Sequence, residues 1–128
     1  MARRNTRAVG RQAEQLACRF LNRQGLTNVT QNFRCRLGEI DLVLQDGSCL
    51  VFAEVRYRSG KRLTPARLTV DTRKQEKLIR TAALFLTQRP RFANSPVRFD
   101  VVAIEADDRC GDSIEWIRDA FRPADSSL

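Results

Sequence analysis

Residues 38–57 read GEIDLVLQDGSCLVFAEVRY, and this stretch decides the fold. Polar and apolar side chains alternate over 39–42, as they do in a strand with one buried face, and the apolar run continues to 44. The dipeptide Asp46-Gly47 is a turn signal, and the run 49–57 that follows is rich in β-prone residues. The stretch therefore predicts a β-hairpin.

The register of this hairpin depends on the length of its loop. A two-residue loop made by Asp46-Gly47 predicts the cross-strand pairs Gln45–Ser48, Val43–Leu50, Asp41–Phe52 and Glu39–Glu54. Because side chains alternate, one face then carries Glu39, Asp41, Glu54 and Arg56, and the other carries Ile40, Leu42, Val51, Ala53 and Val55. A three-residue loop without a bulge would put the acids of the two strands on opposite faces.

Such a concentration of carboxylates on one sheet face needs a physical reason. Like charges on neighbouring strands destabilise a sheet unless a cation lies between them. Mg²⁺ prefers one or two carboxylates together with water and phosphate oxygens, so a divalent metal site is one interpretation. The alternative is a solvated polar face on which Arg56 is the local counter-charge.

The sequence on either side of the hairpin completes an α/β pattern. Apolar spacing predicts a helix over about 7–24, a short strand over 28–36, and a second helix over about 71–88 that ends at Pro90. Strands are predicted over 97–104 and 113–117. The order α-β-β-β-α-β-β predicts one domain over 1–128, with its core at about 7–122 and a polar tail at 123–128. The central sheet is mixed, with helices on both sides.

Composition restricts the class of partner. The net charge is +8, from 23 basic and 15 acidic residues, and residues 1–36 hold eight arginines against the single acid Glu14. Residues 56–80 hold nine basic side chains against Asp71 and Glu76. This asymmetry favours a polyanionic partner, nucleic acid first and an anionic membrane surface second. No apolar run reaches the roughly 18 residues of a membrane span, and residues 1–10 do not resemble a secretory signal, so we expect a cytoplasmic protein.

Two further residue types narrow the chemistry. The chain contains no histidine, which excludes Ser-His and Cys-His nucleophilic sites and zinc proteases of the H-E-x-x-H type. Its cysteines form no CxxC pair, so we expect small buried thiols in a reducing compartment; four scattered cysteines that converge on zinc are the alternative. Any catalysis must then rest on carboxylates, lysine or arginine, and a bound metal.

The hairpin motif also carries a resemblance. An acid near the end of one strand, followed by acid-x-Lys on the next, is typical of the restriction-endonuclease-like superfamily, and Asp41 with Glu54-Val-Arg56 resembles it. Over about 7–122 the chain is similar to the YraN-like family of small, mostly uncharacterised bacterial proteins, whose functional relatives are archaeal Holliday-junction resolvases. The similarity follows these segments in order: Gly10-x-x-x-Glu14-x-x-Ala17, Asn32-Phe-Arg, Gly38-Glu-Ile-Asp, Phe52-Ala-Glu-Val-Arg, 70–74, Arg98-Phe-Asp-Val-Val and 117–121.

The resemblance implies a restriction-endonuclease-like core and a role for individual residues. Asp41 and Glu54 would be the principal ligands of Mg²⁺ or Mn²⁺, Glu14 a further ligand or water-orienting acid, and Glu39 a supporting ligand. The implied catalytic set is Asp41, Glu54, Arg56 and Glu14. Together with the charge pattern, it predicts nucleic-acid contacts at Arg11, Arg36, Arg58, Lys61, Arg62, Lys74 and Gln75.

Arg56 departs from the motif, which has lysine at this position. Arginine keeps the positive charge and can bind phosphate in a bidentate manner, but it is planar and does not give up its proton. Two functions therefore stay open: a metal-dependent nuclease acting on branched or damaged DNA, and a non-catalytic DNA-binding module that kept the fold. An adaptor for a protein partner is a third reading. Because related resolvases are dimers, the resemblance also implies a homodimer.

Overall fold

A computed structural model describes residues 6–59, 70–106, 109 and 111–123. Two helices and five strands occur there in the predicted order: α1 (Thr6–Arg23), β1 (Thr27–Cys35), β2 (Gly38–Asp46), β3 (Cys49–Ser59), α2 (Thr72–Gln88), β4 (Val97–Ala106) and β5 (Ser113–Phe121). A 3-10 turn at Pro90–Phe92 follows α2, and β5 is longer than the predicted 113–117. Within the described residues, neither helix is long and apolar enough to cross a membrane.

The strands form one sheet in the order β1-β2-β3-β4-β5. All neighbours are antiparallel except β3 and β4, which run parallel and are connected through the segment that contains α2. A parallel pair requires such a crossover, whereas the antiparallel neighbours need only short turns. The predicted fold class is confirmed: an α/β domain with a mixed sheet and the architecture of the restriction-endonuclease-like core.

Each face of the sheet is covered by one helix. The predicted apolar stripe of α1 buries Ala13, Ala17 and Leu21 against β-strand residues such as Leu42 and Ala53. The stripe of α2 buries Leu78, Ala82 and Phe85 in a second cluster on the other face. Asp71 caps α2, because its Oδ1 accepts a hydrogen bond from the backbone N–H of Lys74 at 2.9 Å.

The predicted hairpin is present, but its predicted register is wrong. Asp46 pairs with Cys49, and Leu42 pairs with Ala53, so the two-residue loop is Gly47-Ser48 and not Asp46-Gly47. Gly47 has φ +61°, and glycine at the first loop position suits a type II′ turn. Each residue of β2 therefore pairs with a β3 residue two positions later than predicted. A change of two positions does not alter which side chains of the two strands share a face, and it brings Asp41 level with Glu54.

Regular alternation along β2 fails at Asp41. Ile40 was predicted to share a face with Leu42, but Ile40 packs in the α2 cluster and Leu42 in the α1 cluster. On β1, Asn32 lies opposite this point, between the pairs Gln31–Leu42 and Phe33–Ile40, and has φ +53°. The left-handed backbone at Asn32 lets both strands exchange faces at the same level.

A buried carboxylate holds the other half of the sheet. Asp100 is fully buried and accepts hydrogen bonds from Arg98 Nε at 2.8 Å, Trp116 Nε1 at 2.9 Å and the Asp119 backbone N–H at 3.0 Å. Because its oxygens are satisfied by a guanidinium, an indole and a backbone donor, this acid has a structural role. Cys18, Cys35 and Cys49 are free thiols, but of these three only Cys18 is buried as predicted, because Cys35 and Cys49 lie near strand ends and are half-buried.

Candidate metal site

Three carboxylates meet where α1 crosses the sheet. Glu14 extends from α1, and Glu39 and Asp41 come from the first half of β2. One carboxylate oxygen from each lies within 4.8 Å of the other two, and all three residues are half-buried. The structure therefore brings together three of the four predicted metal ligands. Glu14 lies at the edge of the apolar stripe of α1, from which it reaches the sheet.

Asp41 connects this group to the fourth acid. Its Oδ2 accepts a hydrogen bond from the backbone N–H of Val55 at 2.9 Å, which fixes the carboxylate beside β3. The Asp41 side chain is within hydrogen-bonding reach of both Glu14 and Glu54. All four acids therefore form one contiguous cluster, although Glu54 lies outside the tight group of three.

Asn32 is a site residue that the sequence analysis did not assign a role. With its amide nitrogen facing the acids, it donates to Glu14 Oε1 at 3.0 Å and to Glu39 Oε1 at 3.2 Å. The same residue has the left-handed backbone described above, which asparagine tolerates better than most residues. An asparagine inside a predicted strand was the available signal, but its side-chain target depends on the position of α1.

Glu54 is held from the opposite side by two cations. Its side chain is only 3% exposed, and Glu54 Oε2 lies 3.3 Å from Lys74 Nζ and 3.7 Å from Arg56 Nη1. Lys74 comes from the first turn of α2, so the second helix contributes directly to the site. The predicted single face of Glu39, Asp41, Glu54 and Arg56 is not regular, because alternation along β2 fails at Asp41: Ile40 packs toward α2 and Leu42 toward α1.

The crowding of carboxylates changes their protonation. Burial, followed by the nearby charge of Asp41, raises the pKa of Glu54 to about 8, although Lys74 opposes the shift. Burial and then Asp41 also raise the pKa of Glu14 to about 7, and the hydrogen bond from Asn32 opposes this. At neutral pH both acids are partly protonated, because burial and then the charge of Asp41 disfavour their charged forms.

The donor set fits a hard divalent cation. It consists of the carboxylate oxygens of Glu14, Glu39 and Asp41, with no thiol or imidazole among them, which is the chemistry that Mg²⁺ and Mn²⁺ prefer. Burial and the charge of Asp41 raise the pKa of both Glu14 and Glu54, and a bound cation would favour their deprotonated forms. Glu14, Glu39 and Asp41 would hold the ion. Glu54 would lie next to this group, where it interacts with Asp41.

The predicted nucleic-acid contacts fall into three groups. Lys74 lies in the site, whereas the side-chain amide of Gln75 donates to the Val70 carbonyl at 3.1 Å and so holds the start of α2. Arg11 and Arg36 are exposed and Arg58 is half-buried. Lys61 and Arg62 lie outside the described residues.

A cleft of about 350 Å³ opens beside the acids. It lies between the turn that joins β1 to β2 and the first two turns of α2, and it is lined by Arg34, Cys35, Gly38, Glu39, Lys74, Lys77 and Leu78. Neither Arg34 nor Lys77 was predicted from the sequence to belong to a binding site. Neither stood out among the many basic residues, and only the docking of α2 against β2 brings them together.

The chain matches one family over most of its length. A family model described as "Uncharacterised protein family UPF0102" matches residues 13–104, a span that contains all four acids, Arg56 and Lys74. A UPF0102 protein of Pseudomonas syringae pv. syringae is 47% identical over 121 residues, which cover 94% of this chain and 98% of the relative. A UPF0102 protein of Stutzerimonas stutzeri is 50% identical over 112 residues, which cover 88% of this chain and 92% of the relative.

Proposed function

This chain belongs to the uncharacterised protein family UPF0102, and from the geometry of its carboxylate site we propose that it is a metal-dependent nuclease that hydrolyses phosphodiester bonds in DNA. The observation that carries the proposal is the convergence of Glu14, Glu39, Asp41 and Glu54 at one place, with Lys74 and Arg56 on the far side of Glu54. Both halves of this arrangement suit phosphoryl chemistry, in which a cation and positive side chains offset the charge on phosphate.

The position of each side chain in the site indicates its role. Asp41 is fixed by the Val55 N–H and faces both groups of acids, so it is the central ligand. Glu14 and Glu39 are kept in place by the amide of Asn32, which donates to both. A divalent ion bound there would supply Lewis-acid activation of a phosphodiester and of an attacking water. Glu14 would be a further ligand of the ion or the acid that orients the water.

Lys74 supports the proposal despite the departure at Arg56. The superfamily motif places a lysine two residues after the second acid, where this chain has arginine. Lys74 brings an ammonium group to 3.3 Å from the same acid, Glu54, from a different element. An ammonium is compact and can turn between Glu54 and a phosphate oxygen, whereas the planar guanidinium of Arg56 is less adaptable. Lys74 is therefore the residue we assign to charge stabilisation on phosphate.

The resemblance of the motif selects the first substrates to test. It relates the chain to the restriction-endonuclease-like superfamily and to archaeal Holliday-junction resolvases, so branched DNA comes before linear duplex. The net charge of +8 favours a polyanion in either case.

A second candidate function is a DNA-binding module without catalysis. The observation that favours it is Arg56 itself, which lies 3.7 Å from Glu54 in place of the lysine expected by the motif. In that case the acids would have a structural or metal-storing role. The module would bind DNA with a steep salt dependence and leave it intact.

A cleavage assay distinguishes the nuclease from the non-catalytic DNA-binding module. Purified protein is incubated with Mg²⁺ or Mn²⁺ and with four-way junction, flap, single-stranded and linear duplex DNA, beside the variants Asp41→Asn and Glu54→Gln. Glu76→Gln is the matched control, because Glu76 is an exposed acid on α2. We expect wild type and Glu76→Gln to cut at least one substrate and the two site variants to fail. Binding of DNA without any cleavage above Asp41→Asn would favour the module.

A further inference from the structure

The cleft beside the carboxylates has a charge that the metal site does not explain. Three cations line it, Arg34 from β1 and Lys74 and Lys77 from α2, against one acid, Glu39. Cationic side chains from separate elements that face one small space repel one another unless an anion lies between them. Arg34 is paired with Glu39 and Lys74 with Glu54, yet the lining still carries more positive than negative charge, which suits an anionic ligand.

We propose that this cleft is a subsite for a backbone phosphate of the bound DNA strand, next to the phosphate at the carboxylates. The inference rests on the proposed function for the identity of the ligand and goes beyond it in assigning Arg34 and Lys77. A volume of about 350 Å³ accommodates a phosphate with part of its sugar, but not a folded partner.

Lys74 joins the subsite to the metal site. Its ammonium lies 3.3 Å from buried Glu54, yet 39% of its side chain is exposed toward solvent. It also lines the cleft, so one side chain reaches both an acid of the site and a ligand in the cleft. A strand that follows Arg34, Lys77 and Lys74 would thus place its next phosphate at the carboxylates.

Arg34 is free to change partner when an anion enters. It forms an ion pair with Glu39, with Arg34 Nε 3.3 Å from Glu39 Oε2, but the Arg34 side chain is 74% exposed. An exposed pair of this kind contributes little free energy, so the guanidinium can turn to a phosphate at small cost. The turn would release Glu39 toward Glu14 and Asp41.

Hydrogen bonds and close packing hold the backbone that surrounds the cleft. The backbone of Lys74 is held by the Asp71 cap at 2.9 Å, and the hydroxyl of Thr81 donates to the Lys77 carbonyl at 2.8 Å. Gly38 lies so close to α2 that an added Cβ would stand 2.9 Å from Thr81 Oγ1. Helix and strand are therefore in direct contact beneath the cleft, which fixes the spacing between Arg34 and Lys77.

Binding of a labelled single-stranded oligodeoxynucleotide, followed by fluorescence anisotropy in EDTA, tests the proposal. The variants are Arg34→Met and Lys77→Met, and the control is Arg80→Met, which removes one exposed charge from α2 outside the cleft. Loss of one phosphate contact should weaken binding by about threefold or more and lower the salt slope by about 0.7. We expect this for both cleft variants and a smaller change for Arg80→Met.

Two results would overturn the subsite: equal effects of all three variants, or no binding by the wild type at low salt. The readout needs neither metal nor cleavage, so it fails independently of the nuclease proposal. A protein that binds through the cleft but never cuts DNA keeps the subsite and loses the nuclease. A protein that cuts DNA, with cleft variants that bind like Arg80→Met, keeps the nuclease and loses the subsite.

Discussion

Asp41 is the residue on which the electrostatics of the site depend. Its carboxylate contributes to the raised pKa of both Glu14 and Glu54, after burial. These acids have ordinary pKa values near 4.5 and values of about 7 and 8 in the folded protein. Between those limits the folded chain binds more protons than the unfolded chain, so without metal its stability falls as pH rises.

Asp41→Asn should flatten this pH dependence. Removal of the Asp41 charge lowers the pKa of both neighbours toward the ordinary range, so less stability is lost on going from about pH 5 to about pH 8. Urea unfolding of the metal-free protein across this range measures the slope, with Glu76→Gln as the control. A slope in Asp41→Asn as steep as that of the wild type would contradict the coupling of these acids.

Lys74 makes a separate prediction for catalysis. If its ammonium stabilises charge on the phosphate, Lys74→Met should lower the cleavage rate by about 100-fold, the usual cost of removing one preorganised donor. Lys77→Met removes the same charge from the same helix but has no contact with Glu54, so its effect should be mainly on substrate affinity. Equal effects of the two variants on the maximal rate would place Lys74 outside the chemistry.

At the scale of elements, the kink shared by β1 and β2 builds the site. Asn32, with φ +53°, is the point at which the strands exchange faces. Asn32→Ala and Asn32→Gly both remove the amide, but only glycine adopts this backbone without steric cost. We expect Asn32→Gly to be more stable than Asn32→Ala by about 1 kcal/mol in urea unfolding. Equal stability would mean that the strand relaxes and that the kink is not imposed by the fold.

The contact between α2 and β2 makes a second prediction at this scale. Gly38→Ala places a methyl group against Thr81 Oγ1 and should cost about 1–3 kcal/mol. Thr81→Ala removes that oxygen, so Gly38→Ala should cost less in the Thr81→Ala background, by about 0.5 kcal/mol or more. A double-mutant cycle from urea unfolding measures the difference. Additive effects would contradict direct contact at this point.

The hairpin shows which parts of the site the sequence could predict. The predicted loop was displaced by one residue, yet Asp41 and Glu54 still meet, because a total shift of two residues preserves the parity of side chains. Local alternation and turn chemistry were enough to predict that Asp41 and Glu54 lie close together. They could not predict the face exchange at Asn32, because nothing in the alternation of the segment itself marks a left-handed residue.

The contributions of the helices were harder to predict than the strands. That Glu14 lies beside an apolar stripe was visible in the sequence, and the resemblance gave it a role. The approach of Lys74, and the cleft with Arg34 and Lys77, depend on how α2 docks against β2. Such long-range packing leaves no periodic signal in the chain, so the cleft appeared only in the structure.

At the scale of the whole molecule, the mixed sheet brings distant segments to one site. Residues separated by 60 positions along the chain, Glu14 and Lys74, approach the same pair of strands from opposite faces. The arginine-rich first helix and the basic second helix thus flank the carboxylates on both sides. A homodimer and a cytoplasmic location stay predictions, as does the single-domain boundary at 1–128.

Calorimetric titration of Mn²⁺ into wild type and Asp41→Asn at pH 7 tests the central claim, that the carboxylates form a metal site. In two buffers of different ionisation enthalpy, the account predicts saturable binding to the wild type with release of protons, because Glu14 and Glu54 are partly protonated at that pH. It predicts that Asp41→Asn loses the saturable heat. Equal binding by both proteins, or no binding by the wild type with or without DNA, would contradict it.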